Sequence, residues 1–185
     1  MPDCYVWPMR IERVETLTET ELRGTDFSFD VDEEAVAPFD GPALTRVVPV
    51  TRYTKHYSWD DERIDAANPD TSMVAVVRGE DSRVAGYIVA SRAWNHCAQI
   101  EDVAIDRAHR RRGLARTLMD EAVRWAKEQG LRMVRLETQS NNVPACRFYE
   151  RYGFQLGGFD RYLYTALPTQ TRPETALFWY LSVDL

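Results

Sequence analysis

No apolar run in the chain approaches the roughly 20 residues that a membrane-spanning helix requires, so a membrane is not expected as a partner. The start, MPDCYVWPMRIERVE, has no basic stretch followed by an apolar one, so a secretory signal is not expected either. Cysteine is scarce and odd in number: Cys4, Cys97 and Cys146 stand far apart, with no CxxC pair. A disulfide framework and a metal site therefore find no support, and reduced thiols in a cytoplasm fit best. Basic excess is missing too. Lys and Arg number 23 against 29 Asp and Glu, a net charge of −6. That balance argues against nucleic acid as the main partner and favours a cationic substrate. Repeats, linkers and low-complexity tracts are absent. What remains is 185 residues, 44% hydrophobic and 28% charged, as expected of one soluble globular domain.

The first 45 residues read as acidic and irregular, with a strand and turn at FSFDVDEEAV. LTRVVPVTRY (44–53) reads as a strand interrupted by Pro49, hence at an edge or a bulge. SWDDERIDAANPD (58–70) is a loop or a short helix. MVAVVR (73–78) and RVAGYIVASRA (83–93) form a hairpin around the turn at 79–82. A third strand is predicted over about 97–106 and a helix over about 113–129, with Leu114, Leu118, Met119, Ala122, Trp125 and Ala126 on one face and Gly130 as its stop. LRMVRLET (131–138) is the next strand, and strand, helix, strand in this order demands a right-handed crossover between parallel neighbours. A second helix covers 142–152, and the tail alternates into strands at GFQLGG, RYLYTAL and TALFWYLSV.

The most informative stretch is AQIEDVAIDRAHRRRGLARTL, 98–118, in which a strand, a basic glycine-bearing loop and a helix N-terminus follow one another. The first N–H groups of a helix have no partner within it, and the macrodipole adds positive charge there, so the junction suits a phosphate-bearing ligand. It is no Walker A, since Gly-Lys-Ser/Thr is missing, and no Rossmann fingerprint, since it has one glycine. An ordinary solvated turn with surplus arginines is the alternative.

The loop Arg110-Arg111-Arg112-Gly113-Leu114-Ala115 resembles the R-x-x-G-x-A pyrophosphate loop of the GCN5-related N-acetyltransferases, GNAT, which bind acetyl-CoA. Downstream, Asn142-x-x-Ala145-x-x-x-Tyr149-x-x-x-Gly153-Phe154 matches the family's second signature. The resemblance implies an α/β (α+β) GNAT fold, a mixed central sheet flanked by helices, with a V-shaped opening between two adjacent parallel strands. It implies one domain over 1–185, with 1–70 on the substrate side and 71–185 as the acetyl-CoA-binding core. Arg110 to Ala115 and the backbone at Val103, Ala104 and Ile105 then hold the cofactor, with Asn142, Ala145 and Tyr149 from the second helix. The plain alternatives are that Asn142 caps a helix and Tyr149 is a half-buried aromatic.

Glu101 and Asp102 are a second signal. Neighbouring strand residues point to opposite faces, and a central parallel strand is normally apolar on both, so two adjacent carboxylates ask for a reason. A salt bridge or an exposing bulge is one. The other is that Glu101 faces a cleft and takes a proton from the substrate amine while Asp102 faces away; polyamine acetyltransferases of the family carry a similar L-E-D triplet. An alkylammonium of pKa about 10.4 is neutral in only about one molecule in 2,500 at pH 7, and attack on a thioester needs the neutral form. The oxyanion is expected to find a backbone N–H near Val103 to Ile105. Tyr149 hydrogen-bonds or protonates the leaving thiolate, a transfer uphill by about 2 kcal/mol from the reference pKa values.

RAWNHCAQIEDVAI, WAKEQGL, LETQSNN, ACRFYERYGF, FDRYLY and ETALFWYL, spanning about 92–181, resemble the streptothricin acetyltransferases, an antibiotic-resistance branch that acetylates the drug's β-lysine amine. Trp59, Asp60, Asp61 and Trp94 are candidates to bind such a cation beside Glu101 and Asp102. Against this, Ser58 and Asp61 suit a helix cap and Trp94 a core. Another amine (a polyamine, an aminoglycoside, a protein N-terminus) and a non-catalytic coenzyme A-binding module remain open, as does a homodimer.

Overall fold

The computed structural model describes residues 10–56, 64–65, 68, 70–79, 81–167 and 172–183. Eleven strands and three helices are assigned among them: β1 (Arg10–Val14), β2 (Thr16–Leu17), α1 (Glu19–Leu22), β3 (Phe29–Ala35), β4 (Val47–Lys55), β5 (Ile64–Asp65), β6 (Ser72–Arg78), β7 (Val84–Arg92), β8 (Ala98–Ile105), α2 (Leu114–Glu128), β9 (Met133–Gln139), α3 (Val143–Tyr152), β10 (Gln155–Asp160) and β11 (Ala176–Ser182). Seven strands make one sheet in the order β1-β6-β7-β8-β9-β11-β10. Every neighbouring pair in it is antiparallel except β8 and β9, which run parallel with α2 as their crossover. The architecture is the expected mixed sheet flanked by helices.

The apolar run of β6 is buried on both faces because two clusters cover the sheet. Met73, Ala75 and Val77 meet Leu118, Met119 and Trp125 of α2 on one side. Val74 and Val76 meet Leu17, Leu22 and Tyr87 on the other. The six apolar positions read from the helical period of α2 are all buried. One charged residue joins them: Glu121 is buried on that helix because Arg13 of β1 reaches over and donates to it at 2.6 Å.

Two expectations need correction. Residues 10–45 are not irregular, since β1 pairs along β6 as the edge of the main sheet, and β3 pairs with β4. RYLYTAL, 161–167, is not a strand. Asp160 Oδ1 accepts from Tyr162 N at 2.7 Å, and turn bonds Thr165 N to Tyr162 O and Leu167 N to Tyr164 O, each 3.0 Å, coil the segment instead. Pro49 does lie on an edge strand, beside a register shift between β3 and β4, where a missing N–H costs no ladder bond. Of segment 58–70, only the short strand β5, paired with β2, and positions 68 and 70 lie within the described residues.

At Gly86 of β7 an added Cβ would stand 2.6 Å from Ile105 Cδ1 and 2.9 Å from the Ala104 carbonyl oxygen. The backbone oxygen cannot swing away, so Gly86→Ala is expected to destabilise the fold by about 1–3 kcal/mol in urea unfolding.

Candidate functional site

β8 and β9 pair at only three registers: Ala98 with Val134, Gln99 with Arg135 and Ile100 with Leu136. Beyond Ile100 the strands part, and β8 runs on to Ile105 with no ladder bond to β9. This is the V-shaped opening. It leaves the β9-facing backbone edge of Val103, Ala104 and Ile105 available, and each of these residues is half-buried.

On its other side β8 stays paired with β7, but with a slip. Val89 faces Asp102 and Ala90 faces Ile100, so Glu101 is an extra residue, a β-bulge at the point where the strands diverge. Glu101 accepts a hydrogen bond from the Ser91 hydroxyl, and Asp102 accepts one from the Tyr87 hydroxyl at 2.5 Å. Tyr87 and Ser91 are four residues apart on one strand and therefore share a face. The expectation that the two carboxylates look in opposite directions does not hold: the bulge turns both to the sheet face opposite α2. Both remain open to water. Asp102 is nonetheless hemmed in by protein on its other sides. That loss of solvation raises its carboxyl above the usual range, although the Tyr87 hydroxyl and the Val103 N–H pull the other way. Burial and the neighbouring Asp102 push the Tyr87 hydroxyl up. Tyr87 and Ser91 were not legible as site residues; their signal is two hydroxyl groups four apart in a strand that is otherwise apolar as far as Arg92.

After β8, Asp106 caps a short 3-10 turn at Arg107–His109 by accepting from Ala108 N at 2.7 Å. Arg110 turns back into the protein. Its Nε donates to the Ile105 carbonyl at 3.1 Å and its Nη2 to the Phe27 carbonyl at 3.0 Å, so this side chain braces the loop from behind. Arg111 and Arg112 are exposed. Gly113 takes a left-handed φ of +85°, as the N-cap of α2, and an added Cβ there would meet nothing within 4 Å. The first ordinary helical bond is Thr117 N to Gly113 O at 3.1 Å, which leaves the N–H groups of Leu114, Ala115 and Arg116 without helical acceptors. Free amides, a glycine cradle opening on empty space and two exposed guanidiniums fit a pyrophosphate. Reversing both charges, Arg111→Glu with Arg112→Glu, is expected to raise the acetyl-CoA KM at least tenfold, about 1.4 kcal/mol. An unchanged KM in the folded double variant would remove these side chains from the site.

Asn142 is the N-cap of α3, its Oδ1 accepting from Ala145 N at 3.3 Å, so the capping role holds. Its Nδ2 has no partner among the described residues and remains available to a ligand. Ala145 is half-buried. Tyr149 is 6% exposed, ringed by Phe148, Phe154 and Trp179. It belongs to the cluster that also holds Ile100 and Leu136, the last paired residues before the strands part.

The other candidates fare differently. Trp94 is 89% exposed, in the turn between β7 and β8, so it is no core residue, and no described contact brings it to Glu101 or Asp102. Trp59, Asp60 and Asp61 lie outside the described residues. Cys97 and Cys146 are buried free thiols, and burial pushes Cys146 up to about 12. No group of three or more His, Cys, Asp or Glu side chains is placed to hold a metal ion among the described residues. No described helix is long and apolar enough to cross a membrane.

Comparison with known proteins agrees with this geometry. The family model described as acetyltransferase (GNAT) family matches residues 34–154. A streptothricin acetyltransferase of Escherichia coli is 38% identical over 131 residues, 71% of this chain and 71% of that protein. The crystal structure of nourseothricin acetyltransferase is 31% identical, with a TM-score of 0.77 over 95% of this chain and 98% of that one. A Bacillus anthracis protein solved in complex with acetyl coenzyme A is 31% identical, with a TM-score of 0.75 over 95% of this chain and 99% of that one.

Proposed function

This chain belongs to the GNAT family of acetyltransferases, and from that membership we propose that it acetylates the β-lysine amine of streptothricin and so confers resistance to the drug. The enzyme is an N-acetyltransferase and acetyl-CoA its co-substrate. Bound acetyl-CoA supplies the acetyl group as an activated thioester. The observation that carries the substrate reading is the extent of the similarity. It runs over 95% of the chain to nourseothricin acetyltransferase, through the residues outside the coenzyme A loop as well as those within it.

The chain's own residues divide the work. The amides at the start of α2, with Arg111 and Arg112, hold the pyrophosphate, and Asn142 adds a donor from α3. The free edge of β8 at Val103 to Ile105 offers backbone donors where negative charge develops on the acyl oxygen. Glu101, beside the split, accepts the proton that an incoming ammonium must lose. Asp102 accepts from the Val103 N–H as well as from the Tyr87 hydroxyl, so it serves as a fixed negative charge that attracts the cation. The Tyr149 hydroxyl stabilises the departing thiolate. Attack is direct, in a ternary complex, and needs no covalent intermediate with the protein.

The test is biological and chemical together. A susceptible host expressing the chain should grow on streptothricin, and mass spectrometry of the recovered drug should find one added acetyl group on the β-lysine arm. Growth no better than the empty host, with unmodified drug, would overturn the proposal.

A further inference from the structure

The arm of the opening opposite Glu101 carries a carboxylate of its own. Paired register ends at Ile100 and Leu136, so Glu101 begins one diverging arm and Glu137 begins the other. Arg135 donates to Gln99, which lies across from Ser91, the donor to Glu101. Arg135 and Glu137 are two apart on β9, so Glu137 shares the face of Glu101 and Asp102. It accepts from the Tyr164 hydroxyl. Burial raises its carboxyl, Lys55 opposes that shift and Glu174 adds to it.

Lys55 and Glu174, whose charges reach Glu137, belong to a hydrogen-bonded set of their own beside it. Lys55 Nζ pairs with both oxygens of Glu174 at 2.7 and 2.8 Å. Asn141 donates through Nδ2 to Glu174 at 2.8 Å and to the Tyr53 hydroxyl at 3.0 Å, and Tyr53 donates to Glu34 at 3.3 Å. Arg172 covers the Tyr53 ring at 4.5 Å. Among the described residues, this neighbourhood holds the carboxylates of Glu34, Glu137 and Glu174 and the cations Lys55 and Arg172. One group is left over: Asn141 is 1% exposed, and its Oδ1 is buried with no donor among the described residues. Donation from Nδ2 to a carboxylate fixes which end of the amide is oxygen. A buried acceptor without a donor is costly, and such an atom calls for a water, an ion or a ligand donor. Among carboxylates, the donor it suits best is an ammonium.

We propose that Glu137 and Asn141 form a second ammonium subsite across the opening from Glu101, which makes the enzyme selective for amines that carry another cationic nitrogen several bonds from the reacting one. The inference rests on the reading that Glu101 receives the reacting amine. Paired strands are about 4.8 Å apart and these two arms diverge from that spacing, so one nitrogen does not satisfy both carboxylates. A flexible dication with a spacer of several methylenes spans them.

Calorimetric titration of the coenzyme A-loaded protein with 1,5-diaminopentane and with n-pentylamine tests this directly. The wild type should bind the diamine at least tenfold more tightly than the monoamine. Glu137→Gln retains shape and the Tyr164 hydrogen bond, and should reduce that preference below threefold while leaving monoamine affinity unchanged. Tyr164→Phe, which frees Glu137 to move, should reduce it partially. Equal affinities in the wild type, or a preference that survives Glu137→Gln, would overturn the subsite. A diamine preference abolished by Glu137→Gln in an enzyme that leaves streptothricin untouched would overturn the substrate named above and uphold the subsite.

Discussion

Glu101→Gln is expected to lower kcat/KM for streptothricin about a hundredfold near pH 7 and to recover part of it as the pH rises toward 10. The substitution retains the side chain's shape and its bond to Ser91 but removes the charge that accepts a proton. An amine of pKa about 10.4 gains roughly tenfold in neutral fraction per pH unit below that value, so alkaline solution replaces what the carboxylate supplied. A loss equal at every pH would instead assign Glu101 to positioning. Because the bulge brings Asp102 to the same face, Asp102→Asn is expected to impair the enzyme as well, mainly through KM, with the larger kcat effect remaining at Glu101. The reverse order would make Asp102 the proton acceptor and Tyr87 its partner in that role.

Tyr149→Phe should lower kcat by roughly ten- to a thousandfold with the acetyl-CoA KM little changed, the pattern of a contact made only in the transition state. The Phe148, Phe154 and Trp179 contacts depend on the ring, which phenylalanine retains, so stability should change little. The phenol is weaker than the leaving thiol by about 1.5 pKa units on reference values, so its contribution lies in a hydrogen bond to the developing thiolate more than in completed transfer. Wild-type turnover in a folded Tyr149→Phe enzyme would confine the residue to packing.

Elements fixed by local periodicity were legible: the β6–β7 hairpin, the buried face of α2, the loop ahead of it and the Asn142 cap. What escaped depends on register between strands that are distant in sequence. Strict alternation sends Glu101 and Asp102 to opposite faces, and only the slip between Val89 and Ala90 turns them together. A bulge is set by the partner strand, which a single run of residues does not reveal. Arg110 falls in the loop that the family resemblance assigns to the pyrophosphate, yet its side chain donates to the Phe27 carbonyl, 83 positions away. Glu137 looks like an ordinary polar position in the alternation of RLETQ; its place opposite Glu101 follows from where the parallel pairing stops. The segment 161–167 alternates like a strand, but Asp160 starts a turn that no hydropathy pattern records.

Coenzyme A release, followed with purified enzyme, acetyl-CoA and either streptothricin or spermidine, tests the central claim most directly. Acetylation of streptothricin as the enzyme's function predicts a kcat/KM for the drug at least a hundredfold above that for spermidine, lost in the Arg111→Glu, Arg112→Glu double variant through acetyl-CoA KM. Equal or greater turnover of spermidine, or release of coenzyme A with no acetylated drug, would contradict it.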